Sequence, residues 1–440
     1  MKWTCIFISF LLLLSSFSGS LLIKNSCCLS ENGNILYVGG GGEGNYSNIQ
    51  DAINDAEDGY TIYVYPGYYD ERVVINKSIS LIGIVENGEK PVIDGNGTET
   101  IWVAVNDTSV KNFVIKNVRG SAGPHRGILA ARIYKLQNIH IENNTIFAAP
   151  PIVMSANYST IANNTIIGRG DGILSSGFKN KIIFNNVSNC SKDKFSIAIS
   201  VAGRYNMVYK NIIHNNSIGI SCYGKYNNIS YNIIYENDVG IEIWEVFTPS
   251  SYNEVHDNFI YKCEKGIELS ASYNRIFKNN ISSCNTGIEI SGGSYNVVEN
   301  NTIYENGNGI MFTTWAEISP PVFGNIFRYN RLDGNFKRYS TAVLIFADSF
   351  NNTFMKNDIV RMYREWEDIQ HEKVIVEIDF NPLKMTIYKD YYAGNYWDTW
   401  HYQLPKPIDA KWITRMFGRD ILKINGYIFD WHPSLQPNCS

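Results

Sequence analysis

The feature that most constrains the fold of this chain is an internal repeat of 21 to 26 residues. A Tyr-Asn pair opens each repeat, a second Asn follows, and a Gly comes later. The first and third markers recur at the same intervals of 21, 26, 21 and 22 residues. The markers are Asn206, Asn227, Asn253, Asn274 and Asn296, then Asn211, Asn232, Asn258, Asn279 and Asn300, then Gly219, Gly240, Gly266, Gly287 and Gly309. Markers with a common period predict stacked, similar units.

Each repeat contains three short segments in which apolar and polar residues alternate, such as Arg275-Ile276-Phe277. Alternation with a period of two indicates strands, and segments this short do not form stable helices. A single repeat cannot bury its apolar side, whereas stacked repeats bury a continuous apolar column. The pattern therefore predicts an all-β chain folded as a parallel β-helix with three strands per coil. We expect the corner Asn to adopt left-handed backbone conformations and to hydrogen-bond along the stack.

The segment before the repeat predicts a helix that caps one open end of the stack. Ser47 stands at the N-cap position, and Ile49, Ala52 and Ile53 share one face at helical spacing. Caps are needed because an uncovered solenoid end would expose its apolar column. After about residue 360 the repeat is lost. We interpret 361–440 as the opposite, aromatic cap, which contains Trp397, Trp400, Trp412 and Trp431.

The helix, the segment Val64–Ile75 with its Tyr65-Pro66-Gly67, and the marked coils resemble the right-handed parallel β-helix proteins of pectin-lyase-like fold. More narrowly they resemble the NosD-type surface and periplasmic group, many of whose chains end in a Gly-Asn-Tyr-Trp element like the one at 394–397. The resemblance implies the fold and leaves the activity open, because this fold hosts lyases, hydrolases, epimerases and non-enzymatic surface proteins. It also implies, as a further alternative, a factor in copper-enzyme maturation.

The N-terminus predicts export from the cytoplasm. Lys2, the apolar run 6–14 and small residues up to position 20 are typical of a signal peptide over residues 1–20. The apolar character resumes up to residue 23, so an uncleaved membrane anchor is the alternative. The capped β-helix is assigned to residues 31–360. Sequons fit an exported glycoprotein, although a chain this rich in Asn, Ser and Thr also creates them by chance; the candidates are Asn45, Asn76, Asn96 and Asn106.

Charge composition disfavours a nucleic-acid partner. The chain has 38 basic and 42 acidic residues, a net charge of −4, and no cluster of Lys or Arg along the sequence. Nucleic-acid binding depends on such positive patches. The predicted partner is instead a polysaccharide or surface glycan, and a membrane is contacted only through the N-terminal anchor.

Three glutamates line up on the predicted outer face of the coil. In each Gly-Ile-x-Ile segment the two Ile point inward, so the residue between them points outward. Glu242, Glu268 and Glu289 therefore stack on successive coils, about 4.8 Å apart. Like charges this close raise at least one pKa, as acid–base catalysis requires, so these are the candidate catalytic residues. The alternative is a solvated surface, partly neutralised by Lys262 and Lys265.

Loops of unequal length after this strand predict the walls of a groove. The loops are long after Glu242 and after Met311, and they carry the candidate substrate-binding residues Trp244, Phe247 and Trp315. Aromatic walls over a polar floor suit a sugar chain. We favour a non-catalytic protein that binds polysaccharide along the outer face; the alternative is a polysaccharide lyase, hydrolase or epimerase. A lyase also needs a cation, and no Lys or Arg falls on the stripe itself.

Cysteine and metal chemistry is weakly indicated. Cys263 and Cys284 occupy the same corner of adjacent repeats and are a disulfide candidate, the alternative being small residues in a corner ladder. The seven histidines are scattered without a ligand-like pair, so no metal site or cofactor is predicted. Calcium is unsupported because Asp409, Asp420 and Asp430 lie far apart in the sequence.

Overall fold

The structure is a computed structural model. It describes residues 34–95, 97, 99–117, 125–190, 195–245, 249–313, 322–333, 341–345, 349–350, 352–360, 374–376, 391–393, 396–397, 406–416 and 419–430. The predicted signal peptide or anchor lies outside these residues. Among the described residues, no helix has the length and apolar character to cross a membrane.

The described chain forms three long parallel sheets, and successive strands pass from sheet A to sheet B to sheet C in each coil. Sheet A consists of Ile35–Val38, Thr61–Val64, Ser80–Gly83, Thr108–Lys111, Ile139–Glu142, Thr160–Ala162, Lys181–Ile183, Met207–Tyr209, Asn228–Ser230, Glu254–His256, Arg275–Phe277, Val297–Glu299, Ile326–Arg328, Thr353–Met355 and Tyr391–Ala393. Sheet B consists of Tyr68–Tyr69, Val92–Asp94, Val114–Lys116, Thr145–Ala148, Thr165–Gly168, Asn186–Ser188, Ile212–His214, Ile233–Tyr235, Phe259–Tyr261, Asn280–Ser282, Thr302–Tyr304, Arg331–Asp333, Asp358–Val360 and Tyr396–Trp397.

Sheet C carries the longest strands of the solenoid and holds the glutamate stripe. It consists of Val73–Ile75, Glu99–Val103, Arg126–Ala130, Ile152–Asn157, Ile173–Phe178, Ile197–Arg204, Ile218–Lys225, Val239–Trp244, Lys265–Ser270, Thr286–Ile290, Asn308–Phe312, Thr341–Ile345 and Val374–Val376, with Leu136–Gln137 paired beside Ile152–Asn157. Two small pairs complete the strands: Val322–Phe323 with Ser349–Phe350, and the antiparallel Lys406–Met416 with Arg419–Asp430. The predicted all-β parallel β-helix with three strands per coil is confirmed.

The core is a column of inward-facing aliphatic side chains. Ile220, Ile241, Ile267 and Ile288 pair in register on four successive coils and have no exposed surface. Burial of such side chains stabilises the fold by roughly 1.5–3 kcal/mol each relative to exposure. Alternation along each strand therefore fixes which side chains face outward on sheet C.

Asparagine ladders close two corners of the coil, as predicted. The backbone N–H of Asn206 donates to Oδ1 of Asn227 at 2.9 Å, and its side-chain Nδ2 donates to the same oxygen at 3.1 Å. In the second ladder Asn279 donates to Asn301 rather than to Asn300, which corrects the predicted marker. These asparagines are buried, and the ladder satisfies the backbone N–H groups that the corner would otherwise leave without partners.

The left-handed residue at these corners is the one before the ladder asparagine, so the prediction is wrong for markers such as Asn206 and Asn211, whereas the marker Asn300 does have a left-handed φ of 55°. Tyr205 has a φ of 57° and Lys210 a φ of 52°, immediately before Asn206 and Asn211. The ladder asparagine is buried to serve hydrogen bonds, so the turn conformation falls on its exposed neighbour. Left-handed conformations at tyrosine and lysine cost energy, because Cβ crowds the backbone.

A single described α-helix, α1, spans Ile49–Asp55, and its buried residues Ile49, Ala52 and Ile53 pack against the first strands. Asn48, rather than the predicted Ser47, is the N-cap residue, and it makes no side-chain capping bond. Instead the Glu71 carboxylate accepts hydrogen bonds from the N–H groups of Ile49 and Gln50. A carboxylate at a helix N-terminus satisfies otherwise unpaired donors.

The C-terminal cap remains a prediction. Trp397 belongs to the last described strand of sheet B, and Trp412 to the antiparallel pair. Trp400 and Trp431 lie outside the described residues. The boundaries 31–360 and 361–440 likewise stay predictions.

Candidate functional site

The glutamate stripe on sheet C is in register, as the repeat predicts. Glu242 pairs with Glu268, and Glu268 pairs with Glu289, on three consecutive strands. Ser221 precedes the stripe on the coil before Glu242, and Met311 follows it on the coil after Glu289. Parallel strands in register place these side chains about 4.8 Å apart on the outer face.

The stripe is not a solvated surface, which overturns that alternative. Glu242 is 6% exposed and Glu289 is 3% exposed, although both point away from the core column. A carboxylate removed from water loses hydration that only hydrogen bonds or opposite charges replace. The partners of each glutamate therefore decide its protonation state.

Lys265 supplies the cation of the site. It stands three residues before Glu268, at the start of the same strand, and its Nζ lies 3.0 Å from Oε1 of Glu268 and 2.9 Å from Oε1 of Glu289. Burial lowers the pKa of Lys265, but its bonds to Glu289 and Glu268 outweigh this and raise that pKa overall. Lys265 therefore neutralises part of the stripe, as the sequence suggested, although no Lys or Arg occupies a position of the stripe itself. Lys262 instead pairs with Glu236 on the exposed surface.

Among the described residues, no cation lies within ion-pair distance of Glu242, and its pKa is raised. Burial raises the pKa of Glu242 to about 7; the bond from Ser221 opposes the rise, the charge of Glu268 adds to it, and the charge of Lys265 opposes it. The Ser221 hydroxyl donates to Oε1 of Glu242 at 2.8 Å. Near neutral pH the site therefore presents a carboxyl group that can give or take a proton beside an ion-paired carboxylate.

Two further hydroxyl groups complete the site. Thr313 donates from Oγ1 to Oε1 of Glu289 at 2.9 Å. Tyr223, on the outer face two residues after Ser221, contacts the Ser221 hydroxyl, and burial is the main cause of its raised pKa. We call Ser221, Glu242, Lys265, Glu268 and Glu289 the sheet C cluster.

We expect the stability of the protein to report the acid character of Glu242. Its folded pKa of about 7 lies above its ordinary value of 4.5. Below about pH 4.5 the Glu242 carboxyl is protonated in both the folded and the unfolded protein, and its contribution to stability is fully present. As pH rises above 4.5 the unfolded protein loses this proton first, so the contribution declines and is lost once pH passes 7. Relative to the variant Glu242→Gln, the wild type should lose about 2 kcal/mol of unfolding free energy between about pH 5 and 7, because one pKa unit corresponds to about 1.4 kcal/mol.

Urea unfolding of both proteins across this pH range measures the difference. Glu236→Gln is the matched control, since Glu236 is an exposed glutamate at the corner that immediately precedes the strand of Glu242. Its pH curve should run parallel to that of the wild type. Parallel curves for Glu242→Gln as well would contradict the assignment of Glu242 as the neutral acid.

Of the three predicted aromatic walls, the structure describes one. Trp244 lies on the outer face two residues after Glu242, pairs in register with Ser270, and is 44% exposed. Phe247 and Trp315 lie outside the described residues. An exposed indole next to a polar floor is a suitable platform for an apolar sugar face, so Trp244 stays a candidate substrate-binding residue.

The cysteine pair lies away from the sheet C cluster, at the corner that follows sheet B. Cys263 and Cys284 are buried free thiols; Cys263 Sγ donates to the Tyr261 carbonyl oxygen at 3.6 Å, and Cys284 Sγ donates to the Ser282 carbonyl oxygen at 3.3 Å. A shallow surface pocket next to Cys263 is lined by acidic side chains, including Glu236 and Glu264. The disulfide stays a prediction. Of the sequon candidates, Asn76 and Asn106 are exposed, Asn45 is half-buried and Asn96 is outside the described residues.

Sequence reasoning located the stripe but missed two of its partners. Ser221 was visible as the residue in register before Glu242, and Thr313 follows Met311 on the outer face. The missing signal was burial, because alternation assigns a side chain to a face without saying whether that face is covered.

Three parallel sheets around one apolar column, with a polar cluster on the outer face, define a β-helix protein of pectin-lyase-like fold. The family model described as periplasmic copper-binding protein (NosD) matches residues 53–248 and 245–401. The chain belongs to the NosD family.

The chain is also similar to several known proteins. The A-module of mannuronan C-5 epimerase AlgE4 from Azotobacter vinelandii superposes with a TM-score of 0.51 at 13% identity, covering 71% of this chain and 89% of that one. DFA-IIIase from Arthrobacter chlorophenolicus A6 has a TM-score of 0.49 at 15% identity, covering 74% of this chain and 95% of that one. A probable pectinesterase/pectinesterase inhibitor 6 from Arabidopsis thaliana is 32% identical over 105 residues; the match spans 21% of this chain and about a fifth, 19%, of that relative.

The described residues do not fit a copper site. Among them, no group of three or more His, Cys, Asp or Glu side chains is placed to hold a metal ion. The thiols of Cys263 and Cys284 donate to the carbonyl oxygens of Tyr261 and Ser282. His371, His401 and His432 lie outside the described residues.

Proposed function

We propose that this protein binds polysaccharide along the outer face of sheet C, outside the cytoplasm. The observation that carries the proposal is the sheet C cluster beside the exposed ring of Trp244. Trp244 offers a face for the apolar side of a sugar, while the cluster offers donors and acceptors for its hydroxyl groups. The periplasmic description of the family supports the proposed location.

The cluster is built for multiple hydrogen bonds to a neutral or charged sugar. Lys265 uses two of its three N–H donors on Glu268 and Glu289, which leaves one donor for a ligand. Of the two carboxylates that pair with Lys265, Glu268 is more exposed than Glu289, with 16% of its side chain accessible. A sugar hydroxyl that donates to Glu268 and accepts from Lys265 would be held by charge-assisted bonds, which are stronger than neutral ones.

A second function, catalysis on the bound sugar, is favoured by the raised pKa of Glu242. A neutral carboxyl group next to an ionised one is the arrangement in which one group acts as acid and the other as base. In this alternative Glu242 gives a proton to the leaving oxygen or to the sugar carbon, and Glu268 is the base. A protein of similar fold, the A-module of AlgE4, is a mannuronan C-5 epimerase.

Calorimetric binding to a panel of polyuronates and neutral glycans tests the first proposal. Wild-type protein should bind at least one polymer, and Glu268→Gln should weaken this binding about tenfold, as expected for the loss of a charge-assisted bond. Glu236→Gln, an exposed glutamate at another corner, should bind like the wild type. Absence of binding to the whole panel would refute the proposal.

Product analysis of the same mixtures distinguishes binding from catalysis. An enzyme would generate new reducing ends, unsaturated ends or epimerised sugars in the wild type, and Glu242→Gln would abolish them while the affinity stays close to that of the wild type. Binding without products in the wild type excludes the catalytic alternative for the polymers tested.

A further inference from the structure

Five tyrosines form a continuous exposed ladder along the corner between sheets C and A. Neighbouring ring centroids are 5.0, 5.2, 5.7 and 5.2 Å apart, with interplanar angles between 8° and 25°. Each ring is between 43% and 49% exposed. The members of this tyrosine ladder are Tyr205, Tyr226, Tyr252, Tyr273 and Tyr295. Four coil steps of about 4.8 Å give the ladder a length of about 20 Å.

The backbone does not require tyrosine at this corner. Every member of the ladder has a φ between 57° and 60°, a conformation that bulky residues adopt at an energetic cost. The other two corners of the same coils have the same conformation but carry mostly Lys, Asn, Asp, Glu or Ser: Lys210, Tyr231, Asp257, Lys278 and Asn300 at one, and Asn215, Glu236, Lys262, Ser283 and Glu305 at the other. Stacking offsets part of the cost but leaves the exposure of the rings unexplained.

Stacking also determines what the ladder can recognise. The ring faces are covered by neighbouring rings, so solvent meets the ring edges and the phenol hydroxyls. Ring edges carry partial positive charge, and hydroxyls donate hydrogen bonds. None of the five hydroxyls is hydrogen-bonded within the part of the chain that the structure describes. The ladder is therefore a row of donors and positive edges spaced by one coil.

Basic side chains extend this row. Arg204 and Lys225 immediately precede Tyr205 and Tyr226 and pair in register on adjacent strands. Lys179, one coil earlier, lies 5.2 Å from the centroid of the Phe178 ring. Among the described residues, no carboxylate forms an ion pair with these three cations. They come from positions more than 20 residues apart in the sequence, so the coil assembles a basic patch that the sequence does not show as a cluster.

We propose that the tyrosine ladder and its basic patch bind a linear acidic polysaccharide, with the chain running along the solenoid axis. Carboxylates spaced along the polymer would meet Lys179, Arg204 and Lys225, and its hydroxyls would meet the phenol row. This inference rests on the proposed polysaccharide binding, adds a second contact surface and names the ligand class. The alternative ligand of the same charge, an acidic peptide, lacks the row of hydroxyl acceptors.

Binding measurements with three polymers test the proposal: polygalacturonate, its fully methyl-esterified form and polyglutamate. Wild-type protein should bind polygalacturonate about tenfold more tightly than the ester or polyglutamate, and added salt should weaken the binding. The double variants Tyr226→Asn/Tyr252→Asn and Arg204→Gln/Lys225→Gln should each weaken it about tenfold. Asparagine is chosen because it tolerates the left-handed conformation, so the fold is retained.

Tyr231→Asn is the matched control. Tyr231 has the same φ of 57° and similar exposure, and it lies in the same coil as Tyr226 but at the next corner. This variant should bind polygalacturonate like the wild type, and circular dichroism should show β-structure in all variants. Equal binding of the ester or of polyglutamate, or unchanged binding by both double variants, would overturn the inference.

The outcomes also separate this inference from the proposed function. If Glu268→Gln weakens glycan binding and the ladder variants do not, the sheet C proposal stands and the ladder inference fails. If the wild type binds no polysaccharide, both fail. Weakening by the ladder variants alone would place the binding surface at the corner and refute the sheet C proposal.

Discussion

Replacing Asn232 with alanine is expected to destabilise the protein by about 4 kcal/mol. Its side chain donates to the Val208 carbonyl oxygen and to Oδ1 of Asn258, and its own Oδ1 accepts from the N–H and the side-chain amide of Asn211. Alanine would leave several of these buried partners unsatisfied, each at about 1–3 kcal/mol. Denaturant unfolding measures the loss.

Asn186→Ala is the matched control for this prediction. Asn186 is exposed on a strand of sheet B, and its side chain makes no hydrogen bond within the described residues. Its substitution should change the free energy of unfolding by less than about 0.5 kcal/mol. A similar small effect at Asn232 would show that the ladder contributes little to stability.

Replacing Lys265 with methionine is the second substitution with a large expected effect. Within the described part of the chain, it would leave the buried Glu289 with only the Thr313 hydroxyl as a partner, and it would remove the ion pair of Glu268. Removing one partner of a buried pair costs about 3 kcal/mol or more, because the remaining charge stays out of water. The loss should be greatest near neutral pH and shrink in acid, where the carboxylates take up protons.

Lys262→Met provides the comparison within the same coil. The pair of Lys262 with Glu236 is exposed, at 59% and 43% of the side chains, and exposed pairs contribute little. Adding Glu289→Gln to Lys265→Met should recover part of the lost stability, since it removes the unpaired charge. Equal effects of Lys262→Met and Lys265→Met would argue against a buried ion-pair cluster.

The sequence was sufficient to predict the architecture and the register of the site. Asn and Gly markers with one period predict the coil, and the Gly-Ile-x-Ile segments place Glu242, Glu268 and Glu289 on one outer column, as the structure has them. These features depend only on local alternation and on the length of the repeat, which are both visible along the chain.

The electrostatics of the site could not be predicted in the same way. Burial of Glu242 depends on what covers the outer face, and the reach of Lys265 into the stripe depends on the rotamer of a long side chain. For a related reason, the left-handed conformation occurs one residue before the ladder asparagine for which it was predicted. A ladder asparagine needs a buried amide, so its exposed neighbour takes the turn, as Tyr226 does before Asn227.

The direction of the asparagine ladder bears on how the length of this protein can change. The N–H of each ladder asparagine donates to the side-chain oxygen of the next coil toward the C-terminus, as from Asn206 to Asn227. A gene duplication or deletion of one whole coil would leave every donor facing an identical acceptor. Loss of part of a coil would misalign all three corners at once. Evolution of this chain can therefore add or remove coils as complete units, while insertions within a coil are confined to the loops between strands.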